Sequence, residues 1–246
     1  MNKKESRQLN IMNLIKKNGK LSNKALASML DVSVMTVRRD LEELSGRTSS
    51  VQPAQGEGYD FLSAIKLCNE KKDRIGKFAA SLIQPNDVII IDTGSTTVRI
   101  LPYIPDNYNL TILCYNANVL SDLRYKAGVK LLCCGGVYHP NTELLESPEG
   151  ISLIERTRAH KLFLSAAGVH ETHGITCADS YETPTKRAAI KSAAEIILVA
   201  DSGKFGLIQS SYFCDLNTMD TVITDSDISE EWRTLLQEQG CELHIV

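Results

Sequence analysis

The fold of this 246-residue chain is decided by the stretch Val88-Ile89-Ile90-Ile91-Asp92-Thr93-Gly94-Ser95-Thr96-Thr97. Its first four residues are β-branched and apolar, which predicts a short strand buried on both faces. Gly94 and the hydroxyl-bearing residues after it precede a helical pattern over 96–103, which predicts a tight turn from strand to helix. A strand that passes directly into a helix is the first half of a βαβ unit, so the stretch predicts a parallel sheet.

The alternation of short apolar runs and helical patterns continues to the end of the chain. Six further strands are predicted at 111–114, 130–133, 161–165, 196–200, 221–224 and 242–246. Helices are predicted at 70–84, 96–103, 117–126, 150–157, 184–194 and 229–239. Strands that are apolar on both faces and separated by helices are typical of a mostly parallel sheet with helices on its faces. The sequence therefore predicts an α/β fold class.

Small or polar residues follow five of the predicted strands, at the edge where parallel strands end together. Open α/β sheets bind ligands at this edge, so one shared pocket is favoured over five unrelated turns. The glycine turn at 92–97 offers backbone amides and hydroxyl groups, which suit a phosphate; an ordinary capped turn is the alternative. Glu182 and Lys186 are four residues apart, and they face either this pocket or the solvent as an ion pair. The predicted ligand-binding residues are Asp92, Gly94, Ser95, Thr96, Thr97, Tyr115, Asn116, Gly135, Gly136, Ala167, Gly168, Glu182, Lys186 and Lys204.

Three helical patterns precede the α/β part. They cover 5–17, 23–30 and 34–44, and only the residues 31–33 separate the second from the third. This spacing is typical of a helix-turn-helix, whose second helix presents its N-terminal residues to the major groove of DNA. The alternative is a three-helix bundle whose adjacent arginines are merely solvated. On the helix-turn-helix interpretation, the predicted DNA-binding residues are Lys24, Ser33, Met35, Thr36, Arg38 and Arg39.

The net charge of −3 conceals an uneven distribution along the chain. Residues 1–47 contain ten Lys or Arg and five Asp or Glu, whereas the remainder contains 17 basic and 25 acidic residues. A basic head on an acidic body favours a polyanion-binding module joined to a second domain. A phosphate bound by the acidic body must then be attracted by local amides and lysines, and not by the overall charge.

The composition disfavours several other classes of protein. The mean hydropathy is −0.13, and no apolar run approaches the ~20 residues of a membrane span. The N-terminus lacks the apolar segment of a secretory signal, so a cytoplasmic protein is expected. The seven cysteines are scattered and form no Cys-x-x-Cys pair, which predicts neither a disulfide framework nor a zinc site. No cofactor, no metal ion and no catalytic residue is predicted.

Two sets of motifs resemble one known family. Residues 7–41, above all the core Val32-Ser33-Val34-Met35-Thr36-Val37-Arg38-Arg39-Asp40-Leu41, resemble the N-terminal winged helix-turn-helix of DeoR-family bacterial transcription regulators. Six pieces resemble the sugar-phosphate sensor domain of that family: Asp92-x-Gly94-Ser95-Thr96-Thr97, Cys134-Gly135-Gly136, Ala167-Gly168-Val169, Gly174-Ile175-Thr176, Glu182-x-Pro184-x-Lys186 and Asp201-Ser202-x-Lys204-Phe205-Gly206. Residues 49–55 lack the basic, glycine-containing wing that is common in the family, so no wing contact with DNA is predicted.

The resemblance implies an organisation and a function for the whole chain. It implies a winged helix-turn-helix DNA-binding domain at 1–58, a linker at 59–72 and a Rossmann-like α/β sensor domain at 73–246, similar in fold to ribose-5-phosphate isomerase. It also implies a repressor of a sugar or deoxynucleoside catabolism operon. Such a repressor leaves double-stranded operator DNA when a phosphorylated sugar binds, and deoxyribose 5-phosphate is the implied effector. A homo-oligomer, either a dimer or larger, is expected because helix-turn-helix proteins commonly bind paired half-sites.

Two other functions stay open at this point. A sugar-phosphate isomerase with an appended helical domain would use a carboxylate base, for which Glu182 or Asp92 would serve. A constitutive DNA-binding protein would leave the α/β body without a role. The capped helix that carries Arg38 and Arg39 favours a regulator that is not an enzyme, since an isomerase has no need of such a helix.

Overall fold

A computed structural model describes the protein at residues 4, 7, 10, 11, 14, 23–30, 32, 33, 36, 37, 40 and 59–246. The chain divides into two compact units, 1–54 and 55–246. The first unit contains the helix α1 (Asn23–Leu30), which matches the second predicted helix. Among the described residues, none of the helices combines the length and the apolar character that crossing a bilayer requires.

The described residues of the first unit share a small hydrophobic core. Leu26 and Val37 are fully buried, and the partly buried Leu14 packs against them. These three residues come from the three predicted helices, so the helices meet where the apolar periodicity places them. The carboxylate of Asp40 is also buried and forms an ion pair with Arg7, which ties the third predicted helix to the first.

The second unit contains twelve strands within the described residues. They are β1 (Val88–Ile91), β2 (Leu110–Cys114), β3 (Val129–Cys133), β4 (Val137–His139), β5 (Leu144–Glu146), β6 (Ala159–Leu164), β7 (Gly168–His170), β8 (Gly174–Cys177), β9 (Ala193–Val199), β10 (Ser211–Cys214), β11 (Thr221–Thr224) and β12 (Glu242–Ile245). Seven of them form one parallel sheet with the spatial order β12-β11-β9-β6-β1-β2-β3. These seven are the strands that the sequence predicted, each within three residues of its expected bounds, so the α/β class is confirmed.

Helices cover both faces of the parallel sheet. They are α2 (Phe61–Ala64), α3 (Asn69–Ser81), α4 (Ala117–Leu123), α5 (Pro148–Arg156), α6 (Glu182–Ser192) and α7 (Glu230–Glu238). Ile89 and Ile91 of β1 belong to a core shared with α3 and α4, whereas Ile90 belongs to the core shared with α5, α6 and α7. Successive side chains of a strand point to opposite faces, so a strand must be apolar throughout to serve two cores.

Two small antiparallel sheets were not predicted. Strands β10, β8 and β7 form one of them, in that order, and the hairpin of β4 and β5 forms the other. Each of these strands has only three or four residues, which is too short for a periodic apolar pattern to be recognised. The predicted helix at 96–103 is a 3-10 helix at Thr97–Tyr103 that contains Pro102.

Residues 59–72, predicted as a linker, belong to the second unit and contain α2 and the beginning of α3. The carboxylate of Asp60 caps α2 by accepting a hydrogen bond from the backbone N–H of Ser63 at 2.9 Å. Phe61 is buried in the core of the second unit, and its N–H donates to the carbonyl of Asn141 at 2.8 Å. Burial of the Phe61 side chain stabilises the packing of this segment against the rest of the second unit.

Candidate functional site

The order of the strands places a topological switch point beside β1. The chain adds β2 and β3 on one side of β1 and then returns to add β6, β9, β11 and β12 on the other side. Open α/β sheets bind ligands in the crevice at the carboxyl ends of the strands where this reversal occurs. Because β1 and β6 are paired neighbours, the turn after β1 lies next to the residues 165–167 after β6.

A cleft of about 450 Å³, measured with its open mouth, lies at this switch point. Seven of the predicted ligand-binding residues line it: Gly94, Ser95, Thr96, Ala167, Glu182, Lys186 and Lys204. The wall also contains seven residues that were not predicted: Tyr59, Thr93, Thr142, Ser165, Ala166, Cys177 and Ala178. The structure therefore brings together loops from distant parts of the chain into one polar cleft.

The other predicted ligand-binding residues do not line this cleft. They are Asp92, Thr97, Tyr115, Asn116, Gly135, Gly136 and Gly168. Asp92 and Tyr115 lie behind the wall, where the Tyr115 hydroxyl donates to Asp92 Oδ1 at 2.8 Å. Asn116, Gly135 and Gly136 follow β2 and β3, which lie on the opposite side of β1 from β6. The strand order thus separates these loops from the switch point.

Gly94 permits the close approach of the two loops that form the floor of the cleft. A Cβ atom at Gly94 would lie 2.7 Å from both Cβ and Oγ of Ser165, a distance that real side chains do not tolerate. Within the same turn, the hydroxyl of Thr97 donates a hydrogen bond shared between the carbonyl oxygens of Asp92 and Gly94, which lie 2.7 and 2.9 Å from it. Thr97 therefore holds the turn, while Ser95 and Thr96 face the cleft.

A buried ion-pair cluster lies next to this turn. Lys186 Nζ is 2.5 Å from Asp92 Oδ2 and 3.8 Å from Glu182 Oε2. The same Asp92 oxygen accepts hydrogen bonds from the backbone N–H and the hydroxyl of Ser165, both at 2.8 Å. Asp92 is fully buried, and the pair Glu182 and Lys186 is buried as well. The four-residue spacing on α6 therefore directs both side chains inward, and they do not form an exposed surface pair.

The protonation of the cluster follows from its burial. Burial lowers the pKa of Lys186, but the negative charges of Asp92 and Glu182 outweigh this effect and raise the pKa overall. Burial also raises the pKa of Glu182, and the nearby ammonium of Lys186 offsets only part of that shift. Lys186 is thus a permanent cation whose charge is already balanced by carboxylates.

Lys72 is a second buried lysine at the site, and sequence reasoning did not identify it. Its ammonium donates to the carbonyl of Ala64 at 2.7 Å and to Oγ of Ser95 at 2.9 Å, directly beneath the turn that lines the cleft. Burial lowers the pKa of Lys72 to about 8. The local sequence gives no signal for this role, because Lys72 is one of several lysines on α3 and only the fold directs it inward.

Tyr59 was also missed. Its side chain lies in the cleft wall, and burial raises its pKa to about 12, against a smaller opposite effect of a hydrogen bond with Ser95. The sequence analysis placed residue 59 at the start of a linker over 59–72, so nothing in the sequence pointed to a binding role. Ser165, in contrast, is the last residue of the predicted strand at 161–165 and lies two residues before the predicted ligand-binding residue Ala167, so the sequence argument could have found it.

The predicted DNA interface is described only in part. Ser33 is exposed, and its hydroxyl accepts a hydrogen bond from the backbone N–H of Thr36 at 3.1 Å. This contact is an N-cap, as the sequence predicted for the third helix. The two hydroxyl groups of Ser33 and Thr36 also lie 2.8 Å apart. Met35, Arg38 and Arg39 lie outside the described residues, as does the side chain of Lys24.

Comparison with known proteins matches both parts of the chain. The family model for the DeoR-like helix-turn-helix domain matches residues 7–49, and that for the DeoR C terminal sensor domain matches residues 68–226. The chain is 30% identical to the deoxyribose operon repressor of Escherichia coli K12, over 98% of both chains. It is 28% identical to the HTH-type transcriptional repressor GlcR of Bacillus subtilis, over 97% of this chain and 95% of the relative.

Solved structures resemble the fold more distantly. Ribose 5-phosphate isomerase A from Neisseria gonorrhoeae aligns with a TM-score of 0.40 and 15% identity, over 56% of this chain and 53% of that chain. The eIF2B beta subunit from Chaetomium thermophilum aligns with a TM-score of 0.47 and 19% identity, over 88% of this chain and 60% of that chain. The two family matches and the full-length relatives decide the assignment. The chain belongs to the DeoR family of transcriptional regulators.

Proposed function

We propose that this protein represses a sugar or deoxynucleoside catabolism operon and leaves its operator DNA when a phosphorylated sugar binds in the cleft. Deoxyribose 5-phosphate is the first candidate effector, because a relative at 30% identity is the deoxyribose operon repressor. A more distant relative, at 26% identity over 91% of this chain and 92% of the relative, is the glycerol-3-phosphate regulon repressor of Escherichia coli K12. The name of this second relative contains a phosphate ester, and such a group suits the hydroxyl-rich turn of the cleft.

The polar cleft at the switch point is the observation that carries the proposal. One part of its wall holds the Ser95 and Thr96 hydroxyls together with Lys204, a combination of donors that suits a phosphate group. Another part holds Glu182 beside Lys186. A carboxylate accepts hydrogen bonds and an ammonium donates them, so this pair suits the hydroxyl groups of a sugar.

The proposed DNA contacts are the residues that the sequence predicted around the recognition helix. The guanidinium groups of Arg38 and Arg39 would bind guanine edges or phosphates, and the nearby hydroxyls would add further contacts. Binding of effector and DNA would be linked if the effector prefers a conformation that fits the operator poorly. A dimer or larger homo-oligomer belongs to the proposal, since paired half-sites require paired recognition helices.

The test combines effector binding with operator release in the full-length protein. Thermal shift is measured with deoxyribose 5-phosphate, ribose 5-phosphate, glycerol 3-phosphate and unphosphorylated deoxyribose. DNA fragments that bind the protein are first selected in vitro, and the same compounds are then added to the protein–DNA complex. The salt concentration is held fixed because contacts with DNA phosphates make the affinity salt-dependent. We expect one phosphorylated compound to stabilise the protein and to release DNA, and deoxyribose to do neither. A panel without any stabilisation or release would overturn the proposal.

A sugar-phosphate isomerase is the second candidate, and the buried Glu182 favours it. The raised pKa of this carboxylate suits a group that exchanges a proton with a substrate. Turnover of pentose phosphates that disappears in Glu182→Gln would support the enzyme. Release of DNA without any turnover would support the repressor alone.

A further inference from the structure

The two buried lysines of the described chain differ in their counter-charges. Lys186 contacts Asp92 and Glu182, so its charge is balanced within the protein. Lys72 is only 3% exposed, yet no carboxylate lies within 4 Å of its ammonium in the described part of the chain. Its hydrogen bonds go to a carbonyl and a hydroxyl, which are neutral groups. A buried cation without an anion is costly, and it calls for an explanation.

The neighbours of Lys72 sharpen this point. The adjacent Lys71 forms ion pairs with Asp225 and Asp227, at 2.8 and 2.7 Å. The carboxylate of Asp201 raises the pKa of Lys72, whereas burial and the positive charges of Lys204 and Arg99 lower it, and burial has the largest effect. Lys204, which lines the cleft above, also has no carboxylate within 4 Å among the described residues. Two cations without a close counter-charge therefore flank the turn at Ser95.

The hydrogen bond from Lys72 to Ser95 also directs a proton toward the cleft. Because the Ser95 oxygen accepts from the ammonium, its own O–H must point to another acceptor. Ser95 lies in the cleft wall, so its O–H can point toward a ligand there. A phosphate oxygen bound in the cleft would be such an acceptor. Lys72 thus provides both a positive charge and an oriented donor for an anion.

We propose that Lys72 is the counter-charge of the effector's phosphate, which lies on the Ser95–Thr96 turn between Lys72 and Lys204, with the sugar hydroxyls toward Glu182 and Lys186. This inference rests on the proposed function and adds the orientation of the ligand. Lys72 acts through Ser95 and is a positioning residue. The phosphate lies nearer to Lys72 than to Lys186 because the positive charge of Lys186 is already balanced by the carboxylates of Asp92 and Glu182.

The experiment measures ligand affinity by calorimetry in the full-length protein and three variants. The probes are deoxyribose 5-phosphate, ribose 5-phosphate, inorganic phosphate and unphosphorylated deoxyribose. We expect Lys72→Met to raise the Kd of every phosphorylated probe at least tenfold at pH 7.5. Ser95→Ala, which keeps the lysine, should weaken the same probes in the same direction, and it keeps the test valid if Lys72→Met folds poorly. Lys77→Met removes an exposed charge from the same helix and should change the affinity less than twofold.

A pH series separates the electrostatic role from a purely structural one. In the wild type, a bound phosphate would restore the proton to Lys72, so the Kd should rise as the pH increases from 7.5 to 9.5, and this rise should be absent in Lys72→Met. Wild-type affinity in Lys72→Met would overturn the inference, and so would the absence of any binding of phosphorylated probes to the wild type. Phosphate binding that depends on Lys72 but releases no DNA would uphold the inference and refute the proposed repressor instead.

Discussion

The buried ammonium of Lys72 makes a defined prediction about stability and pH. Its pKa is about 8 in the folded protein, compared with an ordinary value of 10.5. The unfolded chain therefore binds this proton more tightly, so folding is penalised below pH 8 and the penalty disappears as the pH rises toward 10.5. Because a tenfold change in proton affinity corresponds to about 1.4 kcal/mol, the penalty is about 3 kcal/mol at pH 7 and less than about 1 kcal/mol at pH 10.

The assay compares urea unfolding of the wild type with Lys72→Met, between pH 7 and pH 10 and under reducing conditions. The single tryptophan, Trp232, lies in α7 and reports on the second unit by fluorescence. Other groups that titrate in this range cancel between the two proteins. Between pH 7 and pH 10, the free energy of unfolding of the wild type should increase by about 2.5 kcal/mol more than that of Lys72→Met.

The pH dependence is the measurement that decides, and not the difference at one pH. Substitution of Lys72 also removes a hydrogen-bond donor from the Ala64 carbonyl, which costs about 1–3 kcal/mol at every pH. Lys77→Met is the matched control, and its stability should follow that of the wild type at each pH. Parallel curves for the wild type and Lys72→Met would refute the argument that the buried ammonium lacks a counter-charge.

Three further changes test other parts of the molecule. Asp92→Asn leaves the ammonium of Lys186 buried beside Glu182 only, so urea unfolding should show a loss of about 3 kcal/mol, whereas a change below about 1 kcal/mol would contradict the role of the pair. Gly94→Ala forces a methyl group against Ser165, so calorimetry should show weaker effector binding, and the free energy of unfolding should fall by about 1–3 kcal/mol. An unchanged effector affinity would mean that the turn does not form the phosphate site. Arg38→Ala should abolish specific operator binding in a fluorescence anisotropy assay and leave the effector-induced thermal shift intact. Retained operator affinity at physiological salt would exclude the predicted helix at 34–44 as the DNA-recognition helix.

The parallel sheet could be predicted because its signal is local. The central strands β1, β6 and β9 contain runs of apolar residues that serve two cores, so the pattern is present within a few residues of sequence. Strands β4, β5, β7, β8 and β10 lack such a run because they are short and pair in small antiparallel sheets. Residues 59–72 were interpreted as a linker for a related reason. Their fold depends on Phe61 reaching a core built from residues far away in the chain.

The site could be predicted only up to the set of loops that end the strands. Residues after β1, β2, β3, β6 and β9 all had suitable chemistry, and the sequence assigned them to one pocket. The pairing of β1 with β6 selects Gly94 to Thr96 and Ala167 for the cleft, while Tyr115 and Gly136 lie elsewhere. Strand order results from long-range packing, and no local pattern encodes it.

The sequence by itself determined the α/β class, the helix-turn-helix at the N-terminus, the DeoR family and the chemistry of the turn after β1. Only the tertiary structure decided which charges are available to a ligand. Lys186, predicted to attract a phosphate, is neutralised by Asp92, which is 94 residues away in the chain. Lys72, which no motif marked, is buried under Ser95 without a carboxylate partner. The effective charge of a side chain depends on its burial and on its neighbours in space, and both are properties of the fold.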